Sequence, residues 1–589
     1  MAKQVEVEIE LENGKKLLHC ISLVIKQEYN NHHTFEVLLP FEVLEESKET
    51  FFNKSYEIVI GKIIKISIQS DTSENQNFKF KGIVTSIELK NNDTFNPYFV
   101  LSGNSADVIL KDGIQRRTFV KQTLKQIYDK ILDTYPQNLL KRNIKLDDNP
   151  SIDYEVQYDE SNYDFLKRIS QEHGKWFYYN GLELIVGSNE DNTIDFKIDG
   201  VQNYNMSISI NPSKFGVYNY NYVNHKETSG ISKDQKLTGL NQMVNFAIKT
   251  SENTFSQENQ LITVDTIKDS SELNDYVKLT KSMHAGSHIY FNGSGENNEL
   301  AIGKIASVKG IIFNDDGSKS EENLGKYRIT DIVHAVDENG CYSNKFTAIP
   351  ESLPFPPVYQ ECQKPVGMIE IAEVVDNKDP DKLGRVKIKF YWQRNDAESV
   401  WVRVSSLYSG AGKGILFTPE LGAQVIIGYQ HNNPSQPILL GSLYHKIDGE
   451  SYNSDDNKLK LIQTKGGNYI FFDDNDKEQR IVISNENNNK TCITLNFKDN
   501  GNIEIKTEGS LSLEGKDISI KSETLKIQID QTFEIEAKQS AKIKTAQLKL
   551  EANASLEMAS QGSLKMEGAL VDVEGQAMIT MKAGLIKLN

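Results

Sequence analysis

The chain has 589 residues, which is enough for three or more domains with large buried cores. Its formal net charge of −16 argues against a nucleic-acid binder, because phosphate contacts need a basic surface, and against attraction to anionic lipid. No stretch approaches the roughly 20 apolar residues that a membrane-spanning helix requires. Four scattered cysteines without a CxxC pair are typical of free thiols in a cytoplasmic product, namely Cys20, Cys341, Cys362 and Cys492.

The first hundred residues are predicted to be strands. Apolar and polar side chains alternate there between Asn, Asp and Ser turns, as in Val5, Val7 and Ile9. The acidic start MAKQVEVEIELENG is therefore interpreted as a strand and not as a signal peptide, so export would need a route other than the general secretory one. The same strand pattern returns from about 205 to 350.

Two helices are predicted in a mixed segment at about 105–190. The first covers Thr123–Tyr135, and the second begins at the N-cap Ser161, has Asp164 three residues later and ends before Gly174. Their predicted buried faces are Leu124, Ile127, Ile131 and Leu132 in the first helix and Phe165, Leu166 and Ile169 in the second. This segment is thus predicted to be a small α/β insertion.

Two further units follow in the second half of the chain. A run of prolines at Pro350, Pro354, Pro356 and Pro357 predicts a stiff linker. A compact, strand-rich unit is predicted at about 365–445. A less regular stretch at 455–500 leads into the most distinctive pattern of the sequence.

From Ile503 onward, pairs of apolar side chains separated by one residue recur every seven or eight positions. The pairs are Ile503/Ile505, Leu511/Leu513, Ile518/Ile520, Leu525/Ile527, Phe533/Ile535, Ala541/Ile543, Leu548/Leu550, Leu556/Met558, Leu564/Met566, Val571/Val573, Ile579/Met581 and Ile586/Leu588. The period of two within each pair is typical of a strand. Each repeat is therefore predicted to be one short strand and a bend, and the array a β-solenoid or β-helix.

This array is predicted to be stable only as a homotrimer. A unit of seven or eight residues is too short to enclose a core of its own. A single ribbon leaves its apolar stripe exposed to water and its strand edges without hydrogen-bond partners. Three ribbons around one axis bury the stripes, at roughly 1.5–3 kcal/mol per side chain, and pair the edges. Charged residues between the pairs, such as Glu504 and Lys506, are interpreted as a solvated face.

Five sequence features invite a chemical interpretation, and each has a simpler structural one. SGAGKG at Ser409–Gly414 lacks the following helix of a phosphate-binding loop and is interpreted as a tight loop. His284 and His288 have zinc-ligand spacing, but their surroundings predict loop and strand. His32 and His33 are predicted to lie in a polar turn, so metal binding is not expected at either histidine pair.

Acidic residues are interpreted in the same way. Asp473, Asp474 and Asp476 lack the glycine of a calcium loop and are predicted to form a hairpin turn. Asp159 and Glu160 precede a helix, where carboxylates favour the helix dipole. We therefore predict no catalytic, cofactor or metal site.

Four groups of motifs resemble the VgrG spike family of type VI secretion systems. In the stretch from Tyr158 to Gly187 the matching positions are Tyr158, Glu160, Ser161, Phe165, Leu166, Arg168, Gly174 and Phe177. At the end of the hub they are Tyr327, His334, Tyr342, Phe346 and Pro350. In the OB-fold segment they are Asp379, Pro380, Gly384, Arg385, Val386, Trp392, Trp401, Arg403, Pro419, Gly422, Val425, Gly428, Pro434, Pro437 and Gly441. The ending AGLIKLN resembles the family's spike terminus. Asn162 replaces the Asp of the family's ESD triplet, and Asn432 and Asn433 replace an Asp near the last OB-fold turn.

The resemblance implies a mainly β chain with three parts. These are a phage-hub-like domain at 1–360 made of β-barrels with the α/β insertion at about 105–190, an OB-fold neck at 365–446, and a triple-stranded β-helix spike at 447–589. It implies a homotrimer that meets tube (Hcp-like) and baseplate proteins, carries effectors and touches a target membrane only during puncture. It would be assembled in the cytoplasm and injected by the contractile apparatus.

The resemblance also implies a PAAR-type tip protein on the blunt end of the spike. The last repeat ends in apolar residues and open strand edges, which need a cap. The predicted tip-binding residues are Gly584, Leu585, Ile586, Lys587, Leu588 and Asn589.

Two alternatives stay open. A baseplate hub of a phage or of an extracellular contractile particle would have almost the same sequence. A cell-wall or polysaccharide-degrading enzyme is the other alternative, since β-helices also form lyases. We expect no catalytic domain, because about ten residues separate the OB-fold segment from the spike and the repeat runs to Asn589.

Overall fold

The computed structural model describes residues 4–29, 31–45, 52–70, 77–91, 97–188, 192–198, 203–263, 267–313, 316, 318–358, 363–394, 399–446 and 456–588. Of the described residues 41% lie in strands and 13% in helices, which confirms the predicted mainly β class. The chain divides into two compact units, Met1–Asn457 and Lys458–Asn589. Within the described ranges, none of the helices has the length and apolar character needed to cross a membrane.

Seven strands and a short helix form the start of the first unit. They are β1 (Val5–Leu11), β2 (Lys16–Leu17), β3 (Ser22–Glu28), β4 (Thr34–Pro40), α1 (Ser55–Val59), β5 (Ile63–Ser70), β6 (Asn77–Lys90) and β7 (Tyr98–Ser105). The predicted alternation is confirmed, because one face of the strands is fully buried while the other is polar. Leu23, Val37, Ile66 and Phe99 belong to this buried core.

The α/β insertion follows and contains both predicted helices. Its elements are β8 (Ile114–Thr123), α2 (Leu124–Leu132), β9 (Arg142–Lys145), β10 (Ser151–Ser161), α3 (Asn162–Glu172), β11 (Trp176–Tyr179) and β12 (Leu184–Gly187). The predicted apolar faces of α2 and α3 are fully buried in one core. Gly174 ends the second helix region at φ +62°, where a Cβ would meet Leu279 and Phe355, so only glycine fits.

Residues 193–350 contain strands, as predicted, and two helices that were not predicted. The elements are β13 (Thr193–Ile198), β14 (Asn203–Ile208), β15 (Phe215–Asn221), β16 (Lys226–Ile231), α4 (Gln242–Thr254), β17 (Asn259–Ile262), α5 (Ser270–Ala285), β18 (Ile289–Gly295), β19 (Ile305–Phe313), β20 (Lys319–Val336) and β21 (Tyr342–Pro350). An all-strand prediction was wrong here because the apolar stripes of the helices are sparse. In α4 only Val244, Ala247 and Ser251 are buried.

A thirteen-stranded sheet joins these regions in the order β14-β18-β21-β20-β3-β4-β7-β6-β5-β1-β2, with β19 and β13 branching from β20. The amino-terminal part closes on itself, because Gln4 beside β1 forms a bridge with Cys341 in the β20–β21 turn. This closed path is a β-barrel, as predicted for the hub. The carboxy-terminal part has its own core around Phe196, Phe291 and Phe346.

The OB-fold segment is a second, smaller barrel. Its strands are β22 (Glu370–Asp376), β23 (Lys387–Phe390), β24 (Arg403–Val404), β25 (Ser409–Gly410), β26 (Lys413–Gly414), β27 (Gln424–Tyr429) and β28 (Pro437–Leu443). Five of them pair in the order β23-β22-β27-β28-β24, and a bridge between Val386 and Val402 closes the ring. A closed five-stranded barrel is the architecture of an OB-fold. The preceding proline segment is packed and not a free linker, since Pro356 and Pro357 are buried.

The second unit begins with a five-stranded antiparallel meander. Its strands pair in chain order and are β29 (Leu459–Gln463), β30 (Asn468–Asp473), β31 (Arg480–Asn485), β32 (Asn488–Asn496) and β33 (Asn502–Lys506). The pair Ile503/Ile505 lies in β33, so assigning it to the first solenoid repeat was wrong. Residues 507–588 form an extended ribbon without strand pairing inside the described part of the chain.

Candidate assembly interface

A ladder of five isoleucines runs across the meander of the second unit. The strand register places Ile462 opposite Ile470, Ile470 opposite Ile483, Ile483 opposite Ile493 and Ile493 opposite Ile505. Directly paired side chains lie on the same face of a sheet. Each isoleucine is between 37% and 54% exposed. One residue from every strand thus contributes to a continuous apolar row that faces solvent.

A second apolar row lies beside this ladder on the same face. It consists of Phe472, Ile481, Leu495 and Ile503, which are cross-strand partners two positions from the isoleucines. The opposite face is mixed: it carries the paired apolar residues Leu461, Phe471 and Val482 at one side and polar residues such as Arg480, Asn496 and Asn502 at the other. We name the nine apolar residues the prism face; they are Ile462, Ile470, Phe472, Ile481, Ile483, Ile493, Leu495, Ile503 and Ile505. A single-layer sheet with an unburied apolar face is unstable by itself in water.

The ribbon of residues 507–588 keeps the predicted period. Its backbone bends at 508–509, 516, 523, 530–531, 538–539, 546, 553–554, 561–562, 569, 576–577 and 584. One bend therefore lies between each pair of apolar residues and the next, which is the spacing predicted from the sequence. The large apolar members of these pairs are between 49% exposed, at Ile586, and 88% exposed, at Leu588. The ribbon has no core of its own within the described residues.

Charged residues separate the apolar positions of the ribbon. Lys549 forms an ion pair with Glu551, and Lys565 forms one with Glu567, each two residues apart in an extended chain. Because all four side chains are exposed, these pairs contribute little to stability. Their place between the apolar positions marks the solvated side of the ribbon.

The predicted tip-binding residues end this ribbon. The last bend is at Gly584, and Leu585, Ile586 and Leu588 are exposed. Asn589 lies outside the described residues. The described part of the predicted site is therefore an exposed apolar segment without strand pairing to other described residues.

A buried ionic cluster holds the α/β insertion together. Arg168 on α3 donates two hydrogen bonds to the carboxylate of Glu160, of 2.8 and 2.9 Å, and others to Glu155 and Glu172 at 3.0 and 3.2 Å. Burial alone would lower the pKa of Arg168, but Glu172, Glu155 and Glu160 raise it well above its ordinary value. Burial would likewise raise the pKa of Glu172, which Arg168, Lys364 and His173 hold below its ordinary value.

The same insertion is bonded to the OB-fold. Tyr158 and Arg116 both donate to the Oε1 atom of Glu370 at the start of β22, at 2.6 and 2.7 Å. The pKa of Asp159 is lowered because Arg116 also donates two hydrogen bonds to it. Gln393 donates to Thr118 at 2.6 Å on the other side of the contact. These polar contacts lie beside a small apolar core of Tyr154, Val156 and Tyr158, so the α/β insertion and the OB-fold form a braced joint.

The structure confirms two of the simpler interpretations. Ser409–Gly414 forms the hairpin β25–β26, and no helix follows it. Asp473 and Arg480 close the β30–β31 hairpin, as predicted for the acidic cluster. Asp159 and Glu160 do not act as a pair, because the first binds Arg116 and the second binds Arg168. No metal-binding group of three or more ligands occurs among the described residues.

The interpretation of the histidines needs correction. His284 lies in the last turn of α5 and not in a loop, and His288 is hydrogen-bonded through Nδ1 to the carbonyl of Ser209 at 3.1 Å. His32 and His33 are buried and not in a polar turn. The Nδ1 atom of His32 lies 3.1 Å from Asp107, which anchors the β3–β4 connection to the segment after β7.

A second buried histidine pair lies in the hub barrel. Gln27 is within 3.3 Å of both His33 and His334, and His334 is bonded to the hydroxyl of Tyr342 at 2.7 Å. Burial lowers the pKa of His33 to about 4 and that of His334 to about 3. Both side chains are therefore neutral at pH 7 and contribute to packing and polar bonding in the barrel.

Comparison with known proteins agrees with these features. Residues 53–340 match the phage tail baseplate hub family, and residues 370–444 match the type VI secretion system/phage-baseplate injector OB domain. The actin cross-linking toxin VgrG1 of Vibrio cholerae is 32% identical over 168 residues, which are 25% of this chain and 15% of that protein. The spike protein VgrG3 of Vibrio cholerae is 31% identical over 169 residues, 25% of this chain and 16% of that protein. The matched part thus spans less than a fifth of either relative.

A solved structure shares the fold. A chain of the half-lidded Francisella PdpA–VgrG complex superposes with a TM-score of 0.54 at 10% identity, covering 86% of this chain and 88% of the other. At this identity the likeness concerns the fold alone. The matches to the hub and OB-domain families, in the order that the motifs predict, and the identity to curated spike proteins confirm the resemblance of the chain to the VgrG family of hub-and-spike proteins.

Proposed function

We propose that the chain is the trimeric spike of a type VI secretion system, which caps the tube and punctures a target membrane. One observation carries the proposal: the prism face and the apolar ribbon are built regularly, yet they are exposed in a single chain. Regular apolar surfaces of this length mark an interface. The similarity to VgrG spike proteins supports the proposal that the assembly formed through this interface is a spike.

A trimer would bury the prism face and the apolar ribbon of every copy at the same time. Three prism faces turned inward around one axis would enclose a dry triangular core, each side contributed by one meander. Three ribbons would then bury their apolar pairs on the same axis, and each ribbon edge would gain a strand partner. Two copies would leave part of each edge open. A trimer is therefore the smallest closed arrangement for a seven- to eight-residue repeat.

The mechanism is mechanical. A needle whose backbone groups are all paired and whose core is dry resists bending and unfolding under axial load. The joint between the α/β insertion and the OB-fold supports the same role, since Glu370 accepts from both Tyr158 and Arg116. Partly buried, charge-assisted bonds of this kind favour one geometry of the joint.

Light scattering of the purified full-length chain tests the trimer. We expect a mass three times the 66.6 kDa of one chain. The trimer should persist on dilution, because each copy buries most of a unit that has no core of its own. A folded monomer at micromolar concentration would contradict the proposal.

We propose that a PAAR-type tip protein binds the last residues of the spike, Gly584 to Asn589. Deletion of these six residues should abolish tip binding while the trimer mass is retained. The matched control is Lys587→Gln, which keeps the apolar pair Ile586/Leu588 and should bind normally. Binding that survives the deletion would show that the tip docks elsewhere.

We further propose that the hub meets tube (Hcp-like) and baseplate proteins and that the assembled spike carries effectors. It would be built in the cytoplasm and leave the cell with the contractile apparatus. Cells with an inactive sheath should then retain the chain, whereas cells with a working sheath should release it into the medium. Equal release from both would contradict this route.

Two other functions can be separated from the first. A baseplate hub of a phage or of an extracellular particle is favoured by the family descriptions, which name phage baseplates as well; identification of the co-purifying tube protein would decide. We propose that the chain itself is not an enzyme. Release of fragments from peptidoglycan or acidic polysaccharide by the purified trimer would contradict that statement.

A further inference from the structure

The OB-fold carries a projecting hairpin, residues 405–418, that we name the OB arm. Its strands β25 and β26 pair at Ser409/Gly414 and Gly410/Lys413. The arm is fixed at its base, because the Ser406 hydroxyl donates to the carbonyl of Ile415 at 2.6 Å and the Ile415 amide donates to the carbonyl of Tyr408 at 2.8 Å. The arm is therefore an ordered element.

The side chains of the OB arm are mostly apolar and exposed. Leu407 is 96% exposed and Leu416 80%, and Tyr408 and Phe417 are more than half exposed. An isolated exposed leucine needs no explanation, whereas four large apolar side chains on one ordered hairpin form a surface that water does not favour. The arm thus has the character of a contact surface.

A second apolar surface lies on the outside of the OB barrel. Ala372 and Val374 of β22 point into the core, so Ile371 and Glu373, which alternate with them along the strand, point outward. Ile371 is paired with Ile426 on the neighbouring strand, and Ile369 and Leu440 are also exposed. We name Ile369, Ile371, Ile426 and Leu440 the outer OB face.

The two surfaces lie toward opposite ends of β22. Ile369 and Ile371 are at its start. Asn377, just past its end, donates to the carbonyl of Pro419 beside the OB arm, at 3.2 Å. One small domain thus presents two separate apolar surfaces. A surface cannot cover itself in this arrangement, but the arm of one copy can reach the outer face of another.

One charge on each surface is complementary to one on the other; Lys389 of β23 also lies on the outer side, across from Glu373. Lys413 is a cation on the arm, flanked by Gly412 and Gly414. Glu373 is an anion on the outer face, two positions from Ile371. Neither has an ion-pair partner within the ranges that the structure describes. Joining the surfaces would pair these charges beside the apolar contact.

We propose that the OB arm of one copy packs against the outer OB face of the next copy, with Lys413 beside Glu373, so that three OB-folds close into a ring. The proposal rests on the trimer proposed above. Three-fold symmetry requires this kind of contact, because a closed ring of three joins two different surfaces of each subunit head to tail. The OB-fold offers two such surfaces: both are apolar, and one carries the cation Lys413 and the other the anion Glu373.

Photo-cross-linking of the full-length chain tests the contact. The reactive residue p-benzoylphenylalanine replaces Leu416, and light scattering first records whether the sample is trimeric. After illumination we expect covalent species of two and three chains, with cross-linked peptides that contain Ile369–Glu373 or Leu440. The same residue placed at Glu338, an exposed position of the hub, is the matched control and should give no cross-link to the OB-fold.

Charge reversal sharpens the test. Lys413→Glu should lower the cross-linking yield by about threefold or more, since an attractive pair becomes a repulsive one. Lys413→Glu combined with Glu373→Lys should restore it. The melting temperature of the first unit should stay unchanged in all variants, because Lys413 is on an exposed hairpin.

The outcomes separate the two proposals. A trimer whose cross-links lead to any surface other than the outer OB face, or that shows none, overturns the OB-arm contact and leaves the trimer standing. A trimer in which the double variant fails to regain the yield overturns the Lys413–Glu373 pairing. A monomer in the initial light scattering overturns the trimer itself and, with it, the ring.

Discussion

The two units of this chain obtain their stability in different ways. The first unit, Met1–Asn457, buries its apolar residues in several cores of its own, with side chains such as Phe99, Phe177 and Phe291 removed from solvent. The second unit, Lys458–Asn589, has equally regular apolar patterns and leaves them exposed. One chain thus combines a unit with cores of its own and a unit whose apolar patterns stay exposed in a single chain and would be buried in the proposed trimer.

This difference has a physical origin in the length of the repeating unit. Strands of the hub are long enough to curl into a barrel and to pair within the chain. The ribbon, which bends every seven or eight residues, does not turn back to pair with its own edge within the described residues. In the proposed trimer its hydrogen-bond partners and its core come from the other chains. Substitutions in the two units should therefore report different quantities, namely fold stability in the first and assembly in the second.

The largest effect is expected from Ile483→Asp at the centre of the prism face. Three carboxylates would meet in a dry core, each at a cost of several kcal/mol. We expect the solution mass to fall to that of a single chain while the hub stays folded. The matched control is Asn496→Asp on the opposite face beside Arg480, which should stay trimeric; dissociation of both variants would contradict the assigned face.

Arg168→Met should destabilise the first unit by about 3–5 kcal/mol, because it leaves the carboxylates of Glu155, Glu160 and Glu172 buried without their cation. Urea unfolding of the first unit measures the loss, and the trimer mass should not change. The control Lys141→Met removes an exposed pair with Glu183 and should have little effect. An equal effect of both would argue against the buried cluster as the source.

Acid should weaken the first unit selectively. The pKa values of His33 and His334 in the folded chain, about 4 and about 3, lie below the ordinary 6.5. The unfolded chain therefore binds protons first as the pH falls below 6.5, and stability is lost progressively toward pH 3–4. At pH 5 the loss is about 2 kcal/mol per histidine. Replacement of both by glutamine should flatten this part of the pH profile; an unchanged profile would show that other groups cause it.

The smallest effect is expected from Ser161→Ala. The Ser161 hydroxyl accepts a hydrogen bond from the Asp164 amide at the start of α3, at 3.1 Å. Loss of such a cap costs about 1 kcal/mol, and Ser161→Thr should retain most of it. Urea unfolding of the first unit compares the two variants. Equal stability of alanine and threonine would show that the cap contributes nothing here.

Local patterns made part of the fold predictable. The cap at Ser161, the apolar face of α3 and the period of the ribbon are set by residues close in sequence, and the structure agrees with each. The OB-fold segment was found through motifs whose glycines and prolines fix turns. These features depend on interactions within about ten residues, which a single sequence displays.

The remaining features were not predicted, because they depend on contacts that the sequence pattern does not display. The isoleucine ladder went unpredicted because the turns between its strands differ in length, so its members recur without a fixed period. The nearest signal was the alternation of Ile481 and Ile483. His32 and His33 resemble a polar turn in sequence, but the fold buries them: Asp107, far along the chain in the segment after β7, lies beside His32, and Gln27 of the preceding strand β3 lies beside His33. The helix α4 has too few apolar residues for its stripe to stand out.

Hydrogen exchange of the ribbon tests the central claim most directly. Within the described part of the chain, residues 507–588 have no strand partners, so we attribute any protection of their amides to other copies. In the purified full-length protein we expect amides next to the apolar pairs, from Leu511 to Met581, to resist exchange for hours. Exchange of these amides at the rate of an unstructured peptide, in a sample whose hub is folded, would contradict the account.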